Sequence, residues 1–354
     1  MKRAHGGDIY SFSKNIIDFS SNINPLGIKK EIISEIKNSI YDICVYPDIK
    51  CNELRYAISR KEGVDSDFII CGNGAAELIF NIVLAVKPKT ALFTAPTFSE
   101  YEHAVDIFSA KKKYYTLKER NSFDIREDII DYIDSDTDIV FICNPNNPTG
   151  RRIKKELILK ILNRCEEVNT FVVIDECFMD FVYNGEKYSS IDFINDYDNF
   201  IILKAFTKMY ALPGLRLGYA ICKNKRVIEN IYLSRQPWNV SSIAQNAGIA
   251  ALRDTDFIKE TIEYILHEKE YIQKEFKRLG VKYFNSDTNF ILFKNKKEFD
   301  KKIIEFDILI RNCGNYRGLN EEYYRIAIKR HDENIKFIKA VEILIENDFN
   351  KGGV

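Results

Sequence analysis

Several residues able to share one reaction lie just past short apolar runs of this 354-residue chain. Phe200-Ile201-Ile202-Leu203 is followed by Lys208, and Arg216 comes eight residues later, between Gly214 and Gly218. A lysine at the end of a core strand loses part of its hydration and becomes a usable amine nucleophile. An arginine near it can hold a phosphate in a fixed fork. Phe171-Val172-Val173-Ile174 delivers Asp175-Glu176, and the strand-like run Asp138-Ile139-Val140-Phe141-Ile142-Cys143 delivers Asn146-Asn147-Pro148-Thr149-Gly150. Phe68-Ile69-Ile70-Cys71 leads into Gly72-Asn73-Gly74-Ala75-Ala76, a turn that opens a helix and leaves backbone N–H groups for an anion. Ala91-Leu92-Phe93-Thr94 runs on to Phe98. Taken singly, each has a plainer use. Lys208 could be a solvated loop lysine, Arg216 a surface ion-pair partner, Gly74 a turn glycine and Phe98 a core aromatic. The glycine turn also lacks both the dinucleotide fingerprint and the Lys-Ser/Thr of a P-loop.

What unites them is the scaffold that their positions require. Near-continuous apolar strands separated by helices are the pattern of an α/β protein with a mostly parallel sheet covered on both faces. In such sheets ligands gather at the carboxyl ends of the strands, where Gly74, Phe98, Asn147, Asp175 and Lys208 all fall. Helices are expected over 28–40, 52–61, 74–86, 154–167, 257–279 and 332–346, with further strands at 218–222, 290–293, 308–311 and 324–328. The expected division is an N-terminal arm (1–28) belonging with a small C-terminal α/β domain (251–354), and a large domain (29–250) between them. The arm is dense in Asn, Pro and Gly, from His5-Gly6-Gly7 to Asn22-Ile23-Asn24-Pro25-Leu26-Gly27.

Composition narrows the function. The 52 basic residues balance 52 acidic ones, so no bulk field draws the chain to nucleic acid or an anionic membrane. No apolar run reaches transmembrane length, and the first residues lead into no secretory apolar core. The eight cysteines include no Cys-x-x-Cys pair, and several sit in strand-like runs. Buried free thiols fit that pattern better than disulfides or a zinc site, so no metal is expected and a cytoplasmic location is.

A lysine, an aspartate, an asparagine, an anion cradle and an aromatic are what pyridoxal 5'-phosphate uses. Its aldehyde bonds an amine, its ring nitrogen keeps a proton beside a carboxylate, and its phosphate takes N–H donors and an arginine. Asn146-Asn147-Pro148-Thr149-Gly150, Asp175-Glu176 and Thr207-Lys208 with Gly214-Leu215-Arg216-Leu217-Gly218 resemble the fold-type I aminotransferase superfamily, in the branch of histidinol-phosphate aminotransferase. That resemblance makes Lys208 the lysine that bonds the cofactor, Asp175 the partner of the ring nitrogen, Asn147 the donor to the phenolate oxygen and Phe98 the ring stacked on the cofactor. Gly74, Ala75, Ala76, Thr207 and Arg216 would hold its phosphate. Tyr46 matches a tyrosine that crosses a homodimer interface to the neighbour's site. Ala75, Ala76 and Ala205 depart from the family by removing side-chain hydrogen bonds to the phosphate.

Within that branch, His5-Gly6-Gly7, the segment 18–27, Gln236-Pro237-Trp238, the segment 311–319 and Phe178 are more similar to the L-threonine-O-3-phosphate decarboxylases of cobalamin biosynthesis. The aminotransferases usually carry a tyrosine where Phe178 stands. The resemblance implies loss of CO2 from threonine phosphate to give (R)-1-aminopropan-2-ol O-2-phosphate. Arg311 and Arg325, with His5, Asn24 and Asn147, would then hold the substrate's phosphate and carboxylate. The bond that breaks at Cα is the one held perpendicular to the cofactor ring, so this clamp would select the reaction. An aminotransferase acting on histidinol phosphate is the near alternative, and a non-catalytic binding protein of the same fold the distant one.

Overall fold

The computed structural model describes residues 5–12 and 16–351, with the side chains of 348–351 left aside. The ends of the expected arm and small domain, 1–4 and 352–354, lie outside the described residues, as does 13–15 of the arm. In order, the first elements are β1 (Ile17–Asp18), α1 (Lys30–Asn38), α2 (Asn52–Glu62), β2 (Ile69–Gly72) and α3 (Gly74–Val86). Next come β3 (Thr90–Ala95), α4 (Glu100–Asp106), β4 (Lys111–Thr116), β5 (Ile139–Cys143) and α5 (Lys155–Glu167). They are followed by β6 (Phe171–Asp175), β7 (Phe200–Ala205), α6 (Phe206–Met209), β8 (Gly218–Ile221), α7 (Lys225–Ser234) and α8 (Ser242–Ala251). The chain closes with α9 (Asp256–Arg278), β9 (Phe290–Lys294), α10 (Phe299–Ile303), β10 (Ile308–Leu309), β11 (Arg311–Asn312), β12 (Tyr323–Ala327) and α11 (His331–Lys351).

Seven strands form one sheet in the order β2-β8-β7-β6-β5-β3-β4. All run in the same direction except β8, which is antiparallel to both of its neighbours. The sequence shows why the sheet is covered twice. Successive side chains of a strand point to opposite faces, so a strand buried on both must be apolar throughout. Phe93, Phe141, Val173, Ile201 and Leu203 belong to one core cluster, while their neighbours Leu92, Val140, Ile142, Val172, Ile174 and Ile202 belong to the other. α5 covers the second face with Ile158, Ile161, Leu162 and Cys165, the spacing of one helical stripe.

β4 was not expected, because Lys111-Lys112-Lys113 opens it. It is the sheet's edge, where lysines deter pairing with another chain and reach outward, here to Asp106 and Asp134. The run 308–311, expected as one strand, is two. β10 pairs with β1, whereas β11 joins β12 and β9 in a three-stranded antiparallel sheet, because the chain turns at buried Ile310 to serve both. The helix expected over 28–40 is α1, followed by a 3-10 turn from Ser39 to Cys44. The pairing of Ile17 with Ile308, and the bond from Ala327 N to Phe19 O, tie the N-terminal segment to the C-terminal elements.

A buried ionic cluster braces the strand ends. Lys204 Nζ lies 2.8 Å from Glu62 Oε2 and 4.0 Å from Glu176 Oε2. Tyr219 Oη donates to Glu62 at 2.6 Å, and Ser189 Oγ and Ser190 N donate to Glu176. Burial opposes the Glu62 charge, yet Lys204 and Lys61 hold the carboxyl down at about 2. The cluster joins the residue after Asp175 to the strand that leads to Lys208. Lys204→Met is expected to cost about 3–5 kcal/mol in urea unfolding, because Glu176 loses its buried cation and Glu62 is left with Lys61 alone. The double variant Lys204→Met/Glu62→Leu should recover part of that loss.

Candidate active site

The carboxyl ends of β2, β3, β5, β6 and β7 open at one edge of the sheet. β8 is reversed and starts there, so Arg216, two residues before it, reaches the same edge. A cavity of about 250 Å³ lies over this edge and is lined by Ala75, Ala76, Phe98, Asn147, Asp175, Thr207, Lys208 and Arg216. From outside the large sheet it is lined by His5, Arg311 and Arg325. Gly74 forms no part of the wall but touches Arg216: a Cβ built there would overlap the guanidinium, and its φ of +80° belongs to glycine.

Two expected residues lie elsewhere. The side chain of Asn24 is buried away from the cavity, donating to Met209 O at 2.7 Å and Thr261 Oγ1 at 2.8 Å. Its backbone N–H donates to Lys208 O, so it braces the lysine's loop from behind, and Asn22 lines the cavity with Ser20 and Ser21 instead. Ile23 N donates to Ser21 O, a tight turn at Asn22 beyond which the chain leaves the cavity wall. Tyr46 stands exposed and stacked on Trp238, 4.5 Å between ring centres, and does not line its own chain's cavity.

Lys208 sits in the short helix α6, after β7. Burial first, then the positive charges of Arg325 and Arg216, push its ammonium down to about 8. Asp175 is buried and accepts at 2.6 Å from Tyr101 Oη and at 2.9 Å from Cys177 N. Asn147 follows β5, with the turn before it tied by Asn146 to Pro96 O and Thr149. Arg325 and Arg311 face each other across the β11–β12 pair, and residues directly opposite in such a pair share one face. Arg325 donates to Ser20 O at 2.7 Å and to Asn147 Oδ1, while its buried Nε has no partner among the described residues. Arg311 donates to Asn312 O and Asn315 Oδ1, with Tyr316 against its guanidinium. The ring of His5 lies beside Phe98, and its Nε2 is 3.0 Å from Glu100. Gly7 N donates to Ser20 Oγ, which fixes the arm against the wall.

Sequence reasoning missed Tyr101, Ser20, Ser21, Cys177 and Tyr316. Ser20 and Ser21 stood in the quoted arm segment, and both hydroxyls donate to Asp18. Tyr101 carried no signal beyond its place three residues after Phe98.

This is the fold of a fold-type I pyridoxal-phosphate enzyme, and the comparisons agree. Residues 14–341 match the family Aminotransferase class I and II, and the chain belongs to it. It is 37% identical over 348 residues to a protein of Caldanaerobacter subterraneus subsp. tengcongensis provisionally named threonine-phosphate decarboxylase, covering 97% of this chain and 94% of that one. It is 30% identical to the threonine-phosphate decarboxylase of Salmonella typhimurium, covering 96% and 95%. The solved histidinol-phosphate aminotransferase of Clostridium acetobutylicum superposes with a TM-score of 0.87 at 32% identity, covering 93% of this chain and 99% of that one.

Pyridoxal 5'-phosphate is the cofactor. The donor set fits it. The partnerless Arg325 Nε and the cationic wall suit anionic groups, Asp175 offers its carboxylate to a ring nitrogen, and Lys208 offers an amine.

A lysine whose folded value is depressed below the unfolded 10.5 destabilises the fold wherever it must be charged. The unfolded chain binds more protons between pH 8 and 10.5, so stability rises with pH across that window and the penalty is full below it. In the cofactor-free protein, Lys208→Met should therefore raise unfolding free energy by about 2–3 kcal/mol at pH 7. The gain should fade towards pH 10.5 in unfolding curves taken across that range.

Proposed function

We propose that the chain decarboxylates L-threonine O-3-phosphate to (R)-1-aminopropan-2-ol O-2-phosphate and CO2, in cobalamin biosynthesis. The observation that carries this reading is the pairing of a doubly cationic wall, Arg311 and Arg325, with His5 of the arm, over a lysine poised near neutral pH. Two anionic groups on one small amino acid match two guanidiniums. Phe178 adds to the reading: it is buried, packs edge-on against Phe290 at 5.1 Å and offers no hydroxyl to the cofactor. The names of the two relatives described above point the same way.

In this reading the cofactor supplies an aldehyde for the substrate amine and a ring that draws electrons from Cα. Asp175 holds the proton on the ring nitrogen, and Asn147 and Phe98 hold the ring in place. Thr207, Arg216 and the backbone of Ala75 and Ala76, with Gly74 giving Arg216 room, hold the cofactor phosphate at the N-terminus of α3. Arg311, Arg325 and His5 would hold the substrate's phosphate and carboxylate, and that clamp would set which bond at Cα is presented for cleavage. The bond to the carboxylate breaks, CO2 leaves, and Lys208 returns a proton to Cα. The division into an arm (1–28), a large domain (29–250) and a small domain (251–354) belongs to the same proposal, with the clamp on one part and Lys208 on another.

Transamination of histidinol phosphate is the second reading, favoured by the similarity to the Clostridium acetobutylicum enzyme. Supplied with threonine phosphate, the protein should release CO2 stoichiometrically with aminopropanol phosphate. Glutamate formed from histidinol phosphate and 2-oxoglutarate, with no CO2 from threonine phosphate, would sink the decarboxylase reading. Lys208→Ala should lower turnover by at least about 10³-fold and abolish the absorbance of the lysine-bound cofactor.

We also propose that the enzyme acts as a homodimer sharing its active sites. Tyr41, Ile43, Val45 and Tyr46 stand exposed on one short stretch, with Tyr46 against the exposed Trp238, more apolar surface than a monomer usually leaves in water. Sedimentation should give about twice the chain mass, and Tyr41→Asp/Val45→Asp should shift it towards monomer while weakening cofactor retention.

A further inference from the structure

Asp175 accepts one hydrogen bond from backbone and one from a buried phenol. Cys177 N donates to Oδ1 at 2.9 Å, and Tyr101 Oη donates to Oδ2 at 2.6 Å. An ionised carboxylate has about four lone-pair directions, so one donor on each oxygen fixes its plane and leaves acceptor capacity for a further N–H. Tyr101 itself has no freedom. It is fully buried, stacked on Phe141 with ring centres 5.1 Å apart and planes 17° apart, and Phe141 is stacked in turn on Phe93 at 5.5 Å. On its other side Phe98 stands edge-on at 5.6 Å. One rigid phenol thus contacts both residues assigned to the cofactor ring, the carboxylate at its nitrogen and the aromatic on its face.

The charge state of this donor matters as much as its position. Burial, then the neighbouring Asp175 charge, drives the Tyr101 hydroxyl well above its ordinary range, so it stays a neutral donor. A neutral donor orients the carboxylate without cancelling its charge, whereas a cationic donor in the same place would compete with the protonated ring nitrogen for that charge.

We propose that Tyr101 is a positioning residue that aims the Asp175 carboxylate at the cofactor's ring nitrogen, so that the nitrogen keeps its proton. The proposal rests on the cofactor assignment and is independent of which reaction follows, since both candidate reactions need the protonated ring.

The test is a binding comparison of the whole protein, wild type against Tyr101→Phe, which keeps the ring stack and removes only the hydroxyl. Two probes are used, pyridoxal phosphate and its analogue with carbon in place of the ring nitrogen. The variant should bind pyridoxal phosphate about tenfold more weakly, as befits one hydrogen bond to a charged group. It should bind the ring-carbon analogue as well as the wild type does, because that probe makes no use of the aim of Asp175. The absorbance–pH profile of the bound cofactor should move in the variant, and it is read without turnover.

Equal losses for both probes, or no loss for either, would overturn the proposal. Phe141→Leu serves as the packing control: it loosens the same ring stack and leaves the hydroxyl, so its ratio of the two affinities should match the wild type's. If that control reproduces the tenfold difference between probes, packing and not the hydrogen bond is responsible, and the proposal fails. Failure of the wild type to bind pyridoxal phosphate would count against the cofactor assignment instead, which separates the two outcomes.

Discussion

Holding positive charge out of water is the constraint to which the rest of this site answers. Lys208, Arg311 and Arg325 line one cavity together with the more exposed Arg216, and Asp175 is the carboxylate among its lining residues. Charges of one sign in a poorly hydrated space raise one another's cost. The structure meets that cost in two ways. Carbonyl and amide oxygens on the arm, on the turn after β5 and beside β11 accept from the guanidiniums. Lys208 meets it by holding its proton less tightly, which turns a packing cost into reactivity. Under the proposed function, the cofactor's phosphate together with the phosphate and carboxylate of the substrate would offset what remains of the imbalance.

The groups that meet at the cavity come from two sheets that do different work. The seven-stranded sheet holds the residues assigned to the cofactor at the ends of parallel strands, where register fixes them against one another: Cys143 pairs with Asp175, and Asp175 with Leu203. The three-stranded sheet holds the two arginines opposite each other. The N-terminal segment stitches the second group to the first, through β1 on β10, Phe19 between Leu309 and Ala327, and Ser20 under Arg325. Under the proposed function, reactivity and substrate selection reside in separate parts of the fold, joined by a short stretch of extended chain.

Much of this was legible in the sequence because apolar strands and their polar exits are local features. The runs 139–143, 171–174 and 200–203 are apolar at every position, so both their strand character and their double cover could be read, and with them the shared edge of Asn147, Asp175 and Lys208. What escaped had physical reasons. β4 hides behind three lysines because an edge strand faces water. The reversal of β8 depends on which neighbour it meets, which no local pattern encodes. Asn24 and Asn22 are equivalent as residue types, and distant partners decide between them: Met209 and Thr261 draw the Asn24 side chain away from the cavity that Asn22 lines. Tyr101 looked like any helix aromatic, since its value lies in a contact 74 positions away.

Gly74 and Arg216 carry a consequence for how this chain can change. The glycine occupies a backbone region that other residues enter at a cost of about 1 kcal/mol or more, and its missing side chain is the space that the guanidinium fills. Arg216 is itself left-handed, with φ of 54°. A side chain at position 74 would have to displace the guanidinium as well as enter that backbone region. The two positions, 142 residues apart in the chain, are therefore coupled in one direction: what stands at 216 sets how much room a replacement for Gly74 must find.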